Sequence, residues 1–339
     1  MKKLLLASTA LVGMVGAAAA AEIKLSGYAE IGINGGNGVP GTPYETQFHN
    51  DWQVNFDFSG AMDSGVEFGG RVQIEETNGP GRINGGLKID DEAFWVSGTF
   101  GKVTLGETKG AIDWAVPDVY SGTAISDDHS THAGAYWNTG LDGQYDDQIL
   151  RYEYSFGDFG VALSAEMDDT GVQDTIWGLG GKWSGQLSGL DVSAGLGYQS
   201  NGGADTVSVG ASASMSNGLS FALGYASFNS DDGADGVLGT VDDGLVFNTG
   251  NYVSGNVLVD NWMGVGIAYT TGALTVGANY SVYSAALAGV QDPSGWGLVA
   301  NYDLGGGAVA MAGYGASDNG VSGNGHGDET WSIGLGLSF

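Results

Sequence analysis

Apolar and polar residues alternate with a period of two along almost the whole chain. Between residues 51 and 58, for example, Trp52, Val54 and Phe56 alternate with polar residues, and similar runs lie at 150–156, 161–167, 190–198, 207–215, 219–225 and 331–339. Successive side chains of a β-strand point to opposite faces, so a period of two is typical of strands. No window has a convincing 3.6-residue period. The chain is therefore predicted to be all-β.

Short turns and long loops alternate between these runs. Short turns are predicted at 61–65, 100–101, 157–160, 186–189, 216–218, 271–273 and 305–307. Long loops are predicted at 35–45, 77–86, 109–147, 168–174, 201–204, 230–251, 285–293 and 317–328. These connections join sixteen strands, with both chain ends on the side of the short turns. Short turns on one rim and long loops on the other are typical of outer-membrane barrels.

The strands are predicted to form one transmembrane antiparallel β-barrel of sixteen strands, a single domain over 22–339. A lipid bilayer offers no partner for backbone N–H and C=O groups, so a spanning sheet must close on itself. Sixteen strands enclose a water-filled lumen, whereas about eight are filled by side chains. A soluble sandwich with its apolar faces inside stays open as an alternative, because alternation alone does not tell which face is wet.

The charge of the chain excludes several classes of protein. It has 39 acidic residues against 10 basic ones, yet only 14% of its residues are charged, against roughly 25% in soluble domains. A nucleic-acid partner is not expected, because phosphate contacts need clustered lysine and arginine. The absence of cysteine excludes disulfides and thiolate metal sites. Charge is costly on a lipid-facing surface, so the low charge content agrees with a barrel.

Residues 1–21 have the pattern of a cleaved signal peptide. Lys2 and Lys3 precede an apolar stretch that ends near Val15, and small alanines follow. This segment is short for a membrane helix, although a retained anchor stays an alternative. Its removal would leave eight of the ten bases against 39 acids, a net charge of −31. The pattern predicts an exported protein.

Four local motifs and the last residue resemble one protein family. They are the segments 22–27 (EIKLSG), 58–69 (FSGAMDSGVEFG), 92–98 (EAFWVSG) and 100–106 (FGKVTLG), together with the terminal Phe339. In their order and spacing they resemble the trimeric sixteen-stranded general porins of Gram-negative outer membranes, in particular the alphaproteobacterial branch. The resemblance implies a homotrimer in contact with the lipid bilayer and lipopolysaccharide. It also implies passive diffusion of ions and small hydrophilic solutes, and a third loop, about 109–147, that folds into the lumen as the constriction.

The acidic side of this constriction is expected on the third loop. The segment 113–118 (DWAVPD) resembles the constriction-loop segment of the family, which makes Asp113 and Asp118 pore acids. Two further acids of the same loop, Asp127 and Asp128, are assigned to this side.

The basic side is expected on the barrel wall. Arg151 lies where the family often has an inward arginine, and parity places Arg71 and Lys24 on the polar face of their strands. The chain departs from the family on the second strand, where Asp51 and Gln53 stand at positions that often carry arginine. Lys88 is left unassigned, because the apolar residues before and after it are out of phase. Because few bases are expected on this side, the sequence predicts a weakly cation-selective pore. As an alternative, most acids lie on solvated loops, where screening would leave permeation unaffected.

A calcium site is predicted on the loop 230–251. Its aspartates are Asp231, Asp232, Asp235, Asp242 and Asp243, and carboxylate oxygens suit a hard cation. The spacing is not that of an EF-hand, and a solvated acidic loop is the favoured alternative. Divalent cations could also bridge these acids to lipopolysaccharide phosphates. No cofactor is required.

An enzyme is not expected. The histidines are His49, His129, His132 and His326, and none lies in a recognisable nucleophile motif. A substrate-specific channel stays open as an alternative, and a barrel hydrolase is a more remote one.

Overall fold

Sixteen antiparallel strands close into one barrel in a computed structural model, which describes residues 22–37, 44–76, 87–120, 122–127, 132, 135, 139–145, 147–249, 257–318 and 329–339. The predicted fold is confirmed. The strands are β1 Glu22–Asn37, β2 Tyr44–Ala61, β3 Glu67–Glu76, β4 Leu87–Gly98, β5 Gly101–Glu107, β6 Gln148–Phe156, β7 Phe159–Glu166, β8 Ile176–Leu187, β9 Leu190–Ser200, β10 Asp205–Ser214, β11 Leu219–Asn229, β12 Val259–Thr271, β13 Leu274–Ala285, β14 Ser294–Gly305, β15 Ala308–Ser317 and β16 Glu329–Ser338.

The barrel closes where the first strand meets the last. β1 pairs with β16 from Tyr28 opposite Ser338 to Asn37 opposite Glu329. Beyond the last strand, Gly27 and Phe339 exchange two backbone hydrogen bonds of 2.8 and 3.0 Å. The terminal residue therefore continues the ladder at the seam, and neither end strand is left with an unpaired edge.

All seven predicted short turns join consecutive strands at one rim of the barrel. The connection at 201–204, predicted as a long loop, contains only four residues and links β9 directly to β10. Residues 1–21, and with them the predicted signal peptide, lie outside the described residues. Neither helix in the described part of the chain is long or apolar enough to cross a membrane.

A β-bulge in β4 explains why its two halves are out of phase. Arg71 pairs with Ala93, but Gln73 pairs with Asp90, so β4 carries one extra residue against β3. Asp91, within the bulge, has a φ of 51°. A bulge moves the following side chains to the opposite face, so the apolar residues on both sides of it point outward. Lys88 consequently faces the lumen.

The inward faces of the strands divide into two sectors. Those of β1–β6, named the charged wall, carry Lys24, Glu30, Asp51, Asp57, Arg71, Glu75, Lys88, Asp90, Lys102, Arg151 and Glu153, as the strand registers show. Those of β7–β16, named the small-residue wall, consist mostly of glycine, alanine, serine and threonine. The outward faces carry exposed large apolar residues, as expected for contact with lipid.

Candidate functional site

The described residues of the third loop, which runs from 108 to 147, fold into the lumen and cross the small-residue wall. Its short helix α1, Ala111–Ala115, packs against β7, β8 and β9. Farther along, a 3₁₀ helix, Ile125–Asp127, packs against β15, β16 and β1. The predicted inward fold of this loop is confirmed. The loop covers the wall that carries few charges, so the open part of the lumen lies beside the charged wall.

Polar side chains of the barrel hold the outgoing half of the loop at three points. The hydroxyl of Ser164 accepts a 2.9 Å hydrogen bond from the backbone N–H of Ala111. Asn301 donates to the carbonyl of Thr123 at 2.8 Å, and Ser332 donates to the carbonyl of Ile125 at 2.5 Å. These bonds satisfy loop backbone groups that are withdrawn from water. They fix the loop from β7 round to β16.

One residue of β9 ties the two ends of the loop together. The fully buried Gln199 accepts a 2.6 Å bond from the N–H of Leu141 and donates a 2.6 Å bond to Asp142. The other oxygen of Asp142 accepts a 2.7 Å bond from the N–H of Gly110. Desolvation raises the pKa of Asp142 to about 7, although both donors oppose the rise. Sequence reasoning missed Gln199, because nothing local marks a wall glutamine as the partner of a distant loop.

Glu166 holds the returning end of the loop. This residue, 2% exposed, accepts backbone hydrogen bonds from Gly143, Tyr145 and Asp147 at 3.0, 3.0 and 3.3 Å. A buried carboxylate is stable only when donors surround it. Sequence reasoning missed this role too, although parity in β7 places Glu166 on the lumen side.

An apolar cluster fastens the loop to a second inward segment. Val119 and Leu141 of the third loop pack with Phe228, Phe247 and other residues, namely Ile176, Ala204, Ala226, Val259, Trp262 and Tyr283. The rings of Phe228 and Phe247 stack with their centroids 4.7 Å apart. Phe247 belongs to the connection between β11 and β12, so part of that connection turns into the barrel. The sequence did not predict this second segment.

The predicted acids of the constriction have different surroundings. Asp113 forms a 2.9 Å ion pair with Lys109 of its own loop. Desolvation raises the pKa of Asp113, and Lys109 opposes the rise. Asp118 is exposed. Asp128 lies outside the described residues.

Asp127 ends the 3₁₀ helix and faces other acids instead of a basic wall. Its pKa is raised to about 7, chiefly by desolvation and also by Glu30 and Asp51 of the charged wall, while His49 opposes the rise. Within the wall, Glu30 pairs with His49 at 3.1 Å and accepts a 2.9 Å bond from the hydroxyl of Tyr28. The tip of the loop therefore lies against a carboxylate cluster.

The predicted bases all lie on the lumen face, but most are neutralised by a neighbouring acid. Lys24, Asp57 and Arg71 stand side by side on β1, β2 and β3. Arg71 binds Asp57 through two hydrogen bonds of 2.8 and 3.3 Å. Lys88 pairs with Asp90 at 2.6 Å.

Arg151 lies beneath the start of the loop and is only 8% exposed. It pairs with Glu153 at 2.9 Å, and its guanidinium also donates to Thr108 and to the carbonyl of Lys109. Its position on the inward face agrees with parity. Its contacts make it an anchor of the loop, with little surface left for solutes.

The aspartates of the loop between β11 and β12 bond mainly to the loop itself. Asp242 accepts bonds from the N–H groups of Ala234 and Asp235 at 3.0 and 3.2 Å, and from the hydroxyl of Thr240 at 2.8 Å. Asp243 accepts a 2.7 Å bond from Gly239. Earlier in the same loop, Asp231, Asp232 and Asp235 complete the predicted set. Within the described ranges, no group of three or more histidines or acids could hold a metal ion. Calcium binding here stays a prediction.

His132 is fully buried against β13. One ring nitrogen contacts the side-chain oxygen of Asn279, and the other lies 3.4 Å from the hydroxyl of Ser281. These contacts give it a structural place in the loop. His129 and His326 lie outside the described residues.

Comparison with known proteins gives matches over nearly the whole chain. Residues 7–322 match a family model described as Gram-negative porin. The porin of Rhodobacter capsulatus is 30% identical over 308 residues, which cover 88% of this chain and 95% of that protein. A porin structure refined at 1.8 Å superposes with a TM-score of 0.64 at 23% identity, covering 94% of this chain and all of that one. A triple mutant of Rhodopseudomonas blastica porin gives 0.62 at 18% identity with the same coverage. The two structural matches show the barrel fold.

Proposed function

Because the chain belongs to the Gram-negative porin family, we propose that it forms a water-filled channel for passive diffusion of ions and small hydrophilic solutes. The family and the fold make it a transmembrane β-barrel porin of the outer membrane, and this family consists of channels and not enzymes. The proposal extends to a homotrimer in contact with lipid and lipopolysaccharide, exported by a signal peptide that is cleaved after about residue 21. Heat-modifiable migration on a gel would test the homotrimer. The mass of the purified protein would test cleavage of the signal peptide.

The proposed channel prefers cations weakly, and the pairing of its bases carries this proposal. Of the seven lysines and arginines in the described residues, four form ion pairs with acids: Arg71, Lys88, Lys109 and Arg151. Lys182 lies 3.5 Å from the centre of the Trp114 ring and donates to its carbonyl. An ion pair has little field at a distance, so few bases remain to attract anions.

Acids remain on both sides of the open lumen. Asp118 is exposed on the loop, and Asp51 lies on the opposite charged wall; neither takes part in an ion pair within the described residues. Low-dielectric walls focus the field of such groups on the water between them. Cations should therefore be enriched at the narrowest part of the pore.

Reversal potentials in a potassium chloride gradient across a planar bilayer test this proposal. We expect the sign of the reversal potential to show cation preference. In the Asp118→Asn variant the reversal potential should be smaller. Asp169 is an exposed acid of an outer loop, and Asp169→Asn is the matched control with an unchanged potential. Anion preference of the wild-type channel would refute the selectivity, and absence of any conductance would refute the channel.

A general pore is proposed over a substrate-specific one, because the described lumen contains no ladder of aromatic side chains along the open wall. Saturable block of the conductance by one sugar or anion would overturn this choice.

Calcium at the loop between β11 and β12 is tested by calorimetric titration of the purified trimer, and the absence of a heat signal would remove the site.

A further inference from the structure

Four inward-facing glycines form one continuous row across four neighbouring strands. Gly195 of β9 pairs with Gly210 of β10, Gly210 pairs with Gly224 of β11, and Gly224 pairs with Gly264 of β12. Their neighbours in sequence, such as Leu196 and Val209, point outward into lipid. This glycine row is therefore a strip of lumen wall without any side chain.

The segment 115–119 of the third loop lies directly on the glycine row. A Cβ atom added at Gly210 would lie 2.8 Å from Cγ1 of Val116 and 3.2 Å from Cδ of Pro117. At Gly195 an added Cβ would overlap the carbonyl oxygen of Ala115. Real Cβ atoms essentially never lie within 3.0 Å of another heavy atom, so a larger residue at Gly195 or Gly210 would force the loop to shift.

The far end of the row meets the same segment. Added Cβ atoms at Gly224 and Gly264 would lie 3.3 and 3.1 Å from the methyl groups of Val119, and both would also overlap the ring of Trp262. An extended chain advances about 3.3 Å per residue, and neighbouring strands are about 4.8 Å apart. Four residues therefore span about three strand spacings, which agrees with a segment that runs across the strands along the row.

Glycine in a barrel wall can serve two roles: it suits the curvature of the wall, and it allows the loop to approach closely. One neighbouring position separates these two roles. Gly180 and Gly181 are adjacent in β8. A Cβ added at the inward Gly180 would overlap the carbonyl oxygen of Ala111, whereas one added at Gly181 would meet no atom within 4 Å. Close approach of the loop is thus confined to inward glycines beneath it.

We propose that the glycine row sets the distance between the third loop and the barrel wall, and thereby the width of the open pore. The row lets the loop backbone rest on the wall, which leaves the largest free lumen beside the charged wall. Side chains in the row would push the loop toward that wall and narrow the pore. This inference rests on the proposed channel function.

The test compares the single-channel conductance of four variants with that of the wild type. Gly210→Ala adds a methyl group beneath Val116, and we expect a lower conductance. Val116→Ala removes the atom that this methyl group would meet first, so the double variant Gly210→Ala/Val116→Ala should recover conductance toward the wild type. Val116→Ala alone should not lower it. Gly181→Ala is the matched control for alanine in a strand and should be unchanged.

Each outcome decides the inference. Wild-type conductance in folded Gly210→Ala, or a double variant no better than Gly210→Ala, would overturn it. Should Gly210→Ala not fold, judged by heat-modifiable migration, recovery of folding by Val116→Ala supports the proposed contact and no recovery overturns it. A wild-type protein without channels would refute the proposed function instead, so the two failures are distinguishable.

Discussion

The charged wall and the small-residue wall are built from the same kind of strand but meet different neighbours. On β1–β6 many inward side chains are long and charged, and some of them, such as Arg71 and Lys88, are about half exposed. On β7–β16 they are short, and most of that wall is covered by the third loop. The difference shows that the open lumen is off-centre: one half of the barrel supports the loop, and the other half borders the open lumen.

The distribution of bases along the chain follows the same division. Residues 183–339 contain no lysine or arginine, so β9–β16 contribute no basic group to the lumen. A charged side chain beneath the loop would be buried, which is costly unless it is paired. The exceptions support this reason, because Glu166 accepts three N–H groups and Lys182 lies against the Trp114 ring.

The largest effect is expected where the small-residue wall gives way to the apolar cluster. Phe228→Ala should destabilise the folded barrel by roughly 3–5 kcal/mol, because it leaves a cavity where Phe228 stacks on Phe247. Phe221 lies on the same strand but faces lipid and is 42% exposed, so Phe221→Ala should cost clearly less. Urea unfolding of both variants in detergent measures the difference. Equal losses would show that the cluster does not fasten the loop.

The next largest effect concerns the anchor at the returning end of the loop. Glu166→Ala leaves three backbone N–H groups without their acceptor, and because detachment of the loop returns these groups to water we expect a net cost of only about 1–3 kcal/mol. We expect the loop to detach, with faster proteolysis within 109–147 and larger current noise. Glu166→Gln keeps one carbonyl oxygen and should show a smaller effect. If both variants are as resistant to proteolysis as the wild type, Glu166 is not an anchor.

A pH effect should arise where the loop tip meets the charged wall. The pKa of Asp127 is raised from 3.8 to about 7 by desolvation and by the acids Glu30 and Asp51. The folded state therefore holds this proton more tightly than the unfolded state, so the stability contributed by Asp127 is full below about pH 4, falls as the pH rises toward 7, and is level above. Asp127→Asn should weaken this dependence, measured as the melting temperature of the barrel against pH.

Asp142 has a pKa raised to about 7 as well, so Asp127→Asn should remove only part of the dependence. Asp118→Asn, an exposed acid of the same loop, is the control and should leave it unchanged. An unaltered pH profile in Asp127→Asn would show that the loop tip does not depend on this proton.

The sequence allowed the barrel to be predicted because its signals are local. Alternation and turn residues each depend on a few neighbours, and all seven short turns were confirmed. Even the bulge left a local sign, the change of phase in β4 between Ile89 and Phe94. The anchors of the loop could not be predicted in this way. Gln199 is 57 residues from Asp142, and only closure of the barrel brings them together. The pairing of Asp113 with Lys109 is local and could have been predicted. The resemblance to porins instead implied that Asp113 faces bases on the barrel wall.

Substitutions in the exposed ion pair of the charged wall, Arg71 with Asp57, should have the smallest effect on stability. They should nevertheless change the ion selectivity measurably. Arg71 and Asp57 are 47% and 30% exposed, and such pairs contribute about 0–1 kcal/mol. Asp57→Asn should therefore hardly change stability, but it releases the charge of Arg71 into the lumen and should lower the cation preference. Arg71→Gln releases Asp57 instead and should raise it. Because one substitution removes an acid and the other a base at the same place, opposite shifts of the reversal potential would show that solutes pass beside this wall. If neither variant shifts the potential, solutes do not pass here, and the charged wall is not the open side of the pore.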